Sequence, residues 1–402
     1  MKYADSQWLN RESLLLCLSA FFADLGYQGV TALYPLFIVF QLHQSPFIYG
    51  LITGLSFGIG SLLAFLGGWL GDRIPKKRIV IVGNLGILLL ATSGLTSSIW
   101  ASGILFMLGW WFRYLRTPPR RAMLVNVTPK EHHSKVFGFL HLLDIGGGLV
   151  SILLAISFLL IHIPVGRIIS FSALPIFLST MVLLPVRSNF CERSAPATDV
   201  DKSSKNLTEL STEAMWQRKI YIAILIAAGL YGFSFYNLGF PVLSSALSSN
   251  LKIDGVSTFG IYLGVSAISG WFLGKANLKG LNALWKYGFL TSAIASYLIA
   301  IFVFGRGFAW GINIAVAVLG FGMGAVETYE PSMIASLRTS ENISSGMGGL
   351  SVARSLGQFG ANLIMGALFV LGEGYAYIFA GTTALLAAIL LLRTELQLRD
   401  RS

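Results

Sequence analysis

Apolar residues run along this chain in long blocks, separated by short polar stretches. The blocks cover about residues 12–40, 47–71, 79–97, 99–122, 134–161, 165–186, 217–249, 255–274, 282–304, 307–337, 343–371 and 374–393. A helix that crosses the hydrocarbon of a bilayer needs about 20 mostly apolar residues. The pattern therefore predicts an all-α membrane protein with twelve transmembrane helices. An even number of spans puts both chain ends on one side. Residues 187–216 form the one long polar connection, rich in Ser, Thr, Asp, Glu and Lys. They predict a flexible linker with a short helix near 207–218. The linker divides the chain into an N-terminal six-helix bundle, 1–186, and a C-terminal one, 217–402.

Composition agrees with the pattern. Of 402 residues, 54% are hydrophobic and 12% charged, where a soluble domain carries about 25% charged residues. The 44 glycines suit helices that pack through small residues. The net charge of +11 could point to nucleic acid, but the cations lie in short loops rather than on a soluble face. Loops and tails on the side of the termini hold 23 Lys and Arg; the opposite loops hold three, Arg167, Lys252 and Arg306. Positive residues accumulate on the cytoplasmic side, so both termini are expected in the cytoplasm and the protein in the cell membrane. The apolar run from Leu14 is too long for a signal-peptide core and reads as the first span. Cys17 and Cys191 give neither a disulfide framework nor metal-ligand spacing.

The halves look like repeats. Ala32-Leu33-Tyr34-Pro35-Leu36-Phe37 matches Leu238-Gly239-Phe240-Pro241-Val242-Leu243. Glu131, Gly138 and Asp144 recur at a constant offset as Glu341, Gly348 and Arg354. The stretch Gly68-Trp69-Leu70-Gly71-Asp72-Arg73 recurs weakly as Gly270-Trp271-Phe272-Leu273-Gly274-Lys275, without the Asp-Arg pair. Two six-span halves around a central cavity are the geometry of alternating-access transporters.

Ionisable residues inside spans are costly and face a cavity or a partner. Here they are Asp24, Arg113, Arg116, Asp144, Glu327 and Arg354, with Glu330 nearer the cytoplasmic end. At 1.5 Å per residue, Asp24, Arg113, Asp144 and Arg354 fall near mid-membrane. Each half thus holds acid and base. Asp144 is expected near Arg113 or Arg116, and Arg354 near Glu327 or the first-half helices. Arg113, Arg116 and Arg120 share one helix face. No P-loop, Walker aspartate or GxSxG occurs, which argues against an ATP-driven pump or a hydrolase. His132-His133 has no partners at metal spacing. Neither an enzyme activity, a cofactor nor a metal is expected.

Gly68-Trp69-Leu70-Gly71-Asp72-Arg73-Ile74-Pro75-Lys76-Lys77-Arg78 resembles the G-x-L-x-D-R-x-G-R-R loop after the second span of major facilitator superfamily transporters. Pro75 and Lys76 stand where that family has Gly and Arg. Gly109-Trp110-Trp111-Phe112-Arg113-Tyr114-Leu115-Arg116-Thr117-Pro118-Pro119-Arg120-Arg121 is similar to the G-R-G-x-R-T-P-P-R-D-A segment of a bacterial and archaeal branch, with Arg121 in place of Asp. Asp24-Leu25-Gly26-Tyr27-Gln28 resembles that branch's D-x-x-x-E, with Gln28 in place of Glu. Gly146-Gly147-Gly148 lacks the proline that drug exporters carry in the fifth span.

The resemblance implies two six-helix bundles that rock around a cavity lined by the first, fourth, seventh and tenth spans. It places Asp24, Tyr27, Arg113, Tyr231, Tyr236, Asn237 and Glu327 around a substrate. Arg113 takes the place of the fourth-span arginine linked to proton coupling, or else it pins the first helix to the fourth. Asp24, Gln28, Arg113, Arg116, Asp144, Glu327 and Arg354 are the candidates for substrate and proton coupling. Gly68, Asp72, Arg73 and Arg78 are the candidates for a cytoplasmic latch, against the alternative of a plain topology signal. The implied activity is secondary transport of a small organic solute, proton-coupled and with export favoured over uptake. An uncoupled facilitator or a non-transporting receptor on the same fold are the alternatives. The partners expected are the solute, protons and the lipid bilayer, with no nucleic acid, and the chain is expected as a monomer.

Overall fold

Asn10 opens the first helix by accepting the Ser13 amide at 2.8 Å, a side-chain N-cap that satisfies one orphan donor. The computed structural model describes residues 9–71, 73–129, 132–187, 207–234, 238–276, 280–305, 309–337 and 343–399. Among these are thirteen helices and no strand: α1 (Arg11–Leu36), α2 (Pro46–Gly71), α3 (Lys76–Thr92), α4 (Ile99–Val127), α5 (His133–Leu160), α6 (Val165–Leu183, interrupted at Ser172), α7 (Leu207–Gly232), α8 (Gly239–Ser249), α9 (Lys252–Ala276), α10 (Leu281–Phe304), α11 (Ala309–Leu337), α12 (Ile343–Leu371) and α13 (Glu373–Arg399). Nine of them, α1, α2, α3, α5, α6, α9, α10, α11 and α13, are long and apolar enough to cross a membrane on their own. α4 carries Arg113, Arg116, Arg120 and Arg121, and α12 carries Arg354, Gln358 and Asn362, which lower their hydropathy. Each has 29 residues, or about 43 Å of helix, ample to span.

The seventh apolar block is not the single helix expected over 217–249. α7 begins at Leu207, inside the expected linker, and ends at Gly232; α8 restarts at Gly239. A Cβ on Gly232 would lie 2.7 Å from the Arg354 carbonyl oxygen on α12, so the helix ends in close contact with α12. Ser234 closes that end by donating to the Tyr231 carbonyl at 2.8 Å. Pro241 then falls in the first turn of α8, where its missing N–H costs nothing. Its counterpart Pro35 lies inside α1, and the helix opens beyond it into a π-helical turn, Phe37–Gln41, a usual response to a disturbed ladder. Of the motif repeated between the halves, Glu131 and Glu341 lie outside the described residues, as does Asp72.

The first described residues share one end of the bundle with the ends of α4 and α6. There Asn10 donates to the Val127 carbonyl at the end of α4 at 2.6 Å, the Arg187 amide donates to Glu12 at 2.9 Å, and Lys77 caps α6 through the carbonyls of Leu184 and Val186 at 2.8 and 2.7 Å. At the far end, the two halves share one buried core. It runs without a break from Val30, Tyr34 and Phe37 through Phe106 to Phe240, Met365 and Tyr377. At the terminal end the core is split. One cluster, around Leu16, Leu124 and Leu140, belongs to the first half; another, around Ile224, Leu284 and Val326, belongs to the second. The outer surface is apolar, with Leu62, Phe65, Leu174, Trp310 and Leu371 each more than 60% exposed. A soluble monomer does not present so much apolar surface.

Candidate functional site

Between the two terminal-end cores lies a cavity of about 640 Å³. α1 supplies Asp24, Tyr27 and Gln28. α4 supplies Arg113, Arg116, Thr117, Arg120 and Arg121. α5 supplies Gly138, His141, Asp144, Ile145 and Gly148. α9 and α11 close the other side with Leu263, Ser266, Ala267, Gly270 and Trp271, and with Gly324, Glu327 and Thr328. The floor is the shared far-end core. A separate cleft of about 520 Å³ between α1, α5 and α6 is apolar, and the exposed Leu154, Leu174 and Leu178 put it on the lipid-facing side.

The α4 arginines reach the cavity because of the local sequence. Pro118 and Pro119 remove two helix donors, so the carbonyls of Tyr114 and Leu115 lose their ladder partners. The Thr117 hydroxyl turns back to the Arg113 carbonyl at 2.7 Å. Gly67 of α2 packs directly over the Leu115 carbonyl, where any Cβ would lie 1.9 Å from that oxygen. Gly68 approaches Pro118 more loosely, at 3.9 Å. These contacts hold α4 against α2 and turn its arginine face away, toward α1 and the cavity.

Asp24 and Arg113 do not meet. Between them stands Tyr27, whose hydroxyl donates to Asp24 Oδ1 and accepts from Arg113 Nη2 at 3.1 Å. The Arg113 guanidinium lies over the Tyr27 ring at 4.5 Å and the Trp110 ring at 4.8 Å, so cation–π attraction adds to the hydrogen bond. Gln28 donates to the same Asp24 oxygen at 3.3 Å. Asp24 Oδ2 is buried with no protein partner. Arg116 is 1% exposed and donates to Asn84 of α3; Asn84 donates to Ser179 of α6 at 2.9 Å, and Ser179 exchanges hydrogen bonds with Ser19 of α1. This chain ties four helices of the first half together. Asp144 borders the cavity, but neither Arg113 nor Arg116 pairs with it as expected, and its Oδ1 is buried without a partner among the described residues.

In the second half, Arg354 pairs with Glu327 at 2.8 Å and also with the fully buried Glu330. The expected pairing of Arg354 with Glu327 is present. Glu330 joins it because it lies three residues further on the same face of α11. Tyr231 does not border the cavity: it is 2% exposed, stacks on Phe289 and bonds to Ser292 at 3.0 Å inside the second-half core. Tyr236 and Asn237 lie outside the described residues. Arg73 and Arg78 are exposed at the terminal end, with Arg73 over the Trp69 ring at 3.8 Å. Sequence reasoning did not single out His141, Arg121 or Trp271 as site residues. Arg120 carried a signal, its place on the Arg113 face; the others carried none.

The sequence profile of the Major Facilitator Superfamily matches residues 16–361. An uncharacterised MFS-type transporter of Methanocaldococcus jannaschii is 22% identical over 394 residues, 96% of this chain and 95% of its own. The multidrug resistance protein MdtH of Proteus mirabilis is 30% identical over 31% of this chain and 34% of its own length. Among solved structures, a POT family transporter in complex with a thioalcohol-conjugated peptide superposes with a TM-score of 0.77 at 14% identity, covering 96% of each chain. A variant of the nucleoside transporter NupG superposes with a TM-score of 0.72 at 13% identity, over 96% of this chain and 100% of its own. At such identities the likeness is one of fold. With the profile spanning most of the sequence, the chain belongs to the major facilitator superfamily and is a multi-pass membrane protein of that fold.

Proposed function

We propose that the chain is a secondary transporter that moves a small organic solute by alternating access, coupled to protons. One observation carries the reading: the halves share a core at the far end and have separate cores at the terminal end, with a charged cavity between them. Two rigid bundles hinged at one end are half of a rocking cycle. The excess of Lys and Arg on the terminal side supports a cytoplasmic opening. The peptide and nucleoside transporters that share the fold support a small-molecule cargo. The match to MdtH proteins, limited to a third of the chain, favours export over uptake.

Coupling is assigned to Asp24. It has one carboxylate oxygen bonded by Tyr27 and Gln28 and the other free of protein partners at the cavity. A proton taken there changes what Tyr27 can donate to, and Tyr27 also holds Arg113. Rocking that moves α4 against α1 would alter this chain, so proton and solute could each bias the other through their different affinity for the two states. A solute identified by thermal shift, since a ligand stabilises by mass action, is then followed into proteoliposomes. Asp24→Asn is expected to abolish accumulation driven by a pH gradient while keeping solute exchange. Accumulation that survives in Asp24→Asn removes Asp24 from coupling.

A further inference from the structure

The charges around the cavity fall into two sets. Asp24, Arg113, Arg116 and Glu327 each have a hydrogen-bond or ion-pair partner in the protein. Arg120, Arg121 and Asp144 border the same cavity and have none among the described residues. Arg120 is only 6% exposed, and its Nε and Nη1 have neither solvent nor an acceptor. Asp144 Oδ1 is in the same condition on α5. Buried unpaired charges are costly and are retained where something compensates them. Arg116 stands one turn before Arg120, already committed to Asn84, so three guanidinium groups crowd this stretch of α4 and repel one another. An anion placed on Arg120 and Arg121 relieves that repulsion. Asp144 offers the complementary site for a cation. The opposite charges border one space without meeting, and at about 640 Å³ that space has the size of a small-molecule site.

We infer that the cavity takes a zwitterionic solute of the amino-acid type, its carboxylate on Arg120 and Arg121 and its ammonium group at Asp144. The inference rests on the transporter reading and narrows its cargo. Arg113 and Asp24 are left to the Tyr27 chain, so cargo and proton occupy neighbouring but separate groups.

The test uses the purified full-length chain and a panel of free amino acids with aromatic and aliphatic side chains. Each is compared with its carboxamide, which lacks the anion, and its N-acetyl form, which lacks the cation. The free amino acid is expected to raise the melting temperature, with each single-charge form bound about tenfold more weakly or worse. Arg120→Gln should bind the free acid and its amide alike. Asp144→Asn should bind the free acid and its N-acetyl form alike. If Arg120→Gln does not fold, Arg121→Gln, whose side chain is exposed, must narrow the same difference. Amides or N-acetyl forms that stabilise as well as the free acids overturn the assignment, and so does a panel in which nothing stabilises. Solute-free labelling separates this from failure of the transporter reading. Gly138→Cys in the cavity and Thr53→Cys in the far-end core should react alternately with a small thiol reagent. If they do and no panel member binds, the chain cycles but does not carry zwitterions.

Discussion

Arg354 joins two carboxylates that stand one turn apart on α11, Glu327 and Glu330. Glu330 has no solvent exposure, so Arg354→Gln leaves a buried acid alone. Removing one partner of a buried pair costs about 3–5 kcal/mol, and the variant is expected to melt well below wild type. Arg354→Lys should recover only part of the loss, because one ammonium cannot reach both acids as a planar fork does. Equal melting of Arg354→Gln and wild type would show that the trio holds nothing together. Tyr27→Phe probes the first half. It removes the hydroxyl that links Asp24 to Arg113, a hydrogen bond worth about 1 kcal/mol in net stability. Gradient-driven accumulation is expected to fall more than solute affinity; the reverse would make Tyr27 a plain packing residue. Much of this was legible residue by residue. An acid and a base inside each half announce themselves because charge in a membrane is rare, and the Arg354–Glu327 pair follows from it. The roles of the arginines did not. Arg116 looks like Arg113 in the sequence, and its diversion to Asn84, 32 residues away, depends on how α3 packs. Asp144 was expected beside Arg113 or Arg116 for the same reason, and it pairs with neither.

Helix contacts in this fold are made where backbone meets backbone. Gly67 of α2 lies on the Leu115 carbonyl of α4, and Gly147 of α5 on the Phe21 carbonyl of α1, where an added Cβ would come within 1.9 and 2.4 Å. Neither neighbour can move aside, since both are main-chain atoms. Gly67→Ala and Gly147→Ala are therefore expected to destabilise by about 1–3 kcal/mol or more, as overpacking does. Gly138 also lies in a helix but has nothing within 4 Å of a built Cβ. Gly138→Ala should be neutral or stabilising by up to about 1 kcal/mol through helix propensity. Thermal unfolding of the three variants side by side checks this; uniform behaviour would mean that the close approaches yield easily. The sequence showed the long apolar blocks plainly, because a membrane demands length and apolarity of every crossing element. It did not show the break between α7 and α8. Pro35 and Pro241 sit in matching motifs, yet one lies within a helix and the other in the first turn of a new one. Gly232, where α7 ends, packs against α12, a tertiary contact that the local sequence does not record.

The packing of the whole molecule differs between its two ends. At the far end α2 and α12 are in backbone contact: a Cβ on Gly50 would lie 2.3 Å from the Asn362 carbonyl oxygen, and Thr53 donates to Asn362 Oδ1 at 3.2 Å. Tyr49 seals the same region against Gly239 of α8. At the terminal end the halves part around the cavity. If the protein works by rocking, the α2–α12 contact must open in each cycle, and a bond across it must stop transport without closing the cavity. Thr53→Cys with Asn362→Cys, in a chain whose own Cys17 and Cys191 are replaced, provides that bond on oxidation or with a short bifunctional linker. Transport is expected to stop when the pair is joined and to return when a disulfide is reduced. Labelling of Gly138→Cys from the terminal end should continue throughout, because that side is already open. Two outcomes would refute the hinge. Transport at the normal rate with the pair joined would mean that α2 and α12 never separate. Loss of Gly138→Cys labelling on joining would mean that the far-end contact and the terminal opening belong to different states. The all-helical membrane fold was legible in the sequence from the long apolar blocks. Which end is shut was not, because closure rests on glycines and an asparagine that meet across more than 300 positions of chain, and no local pattern records that meeting.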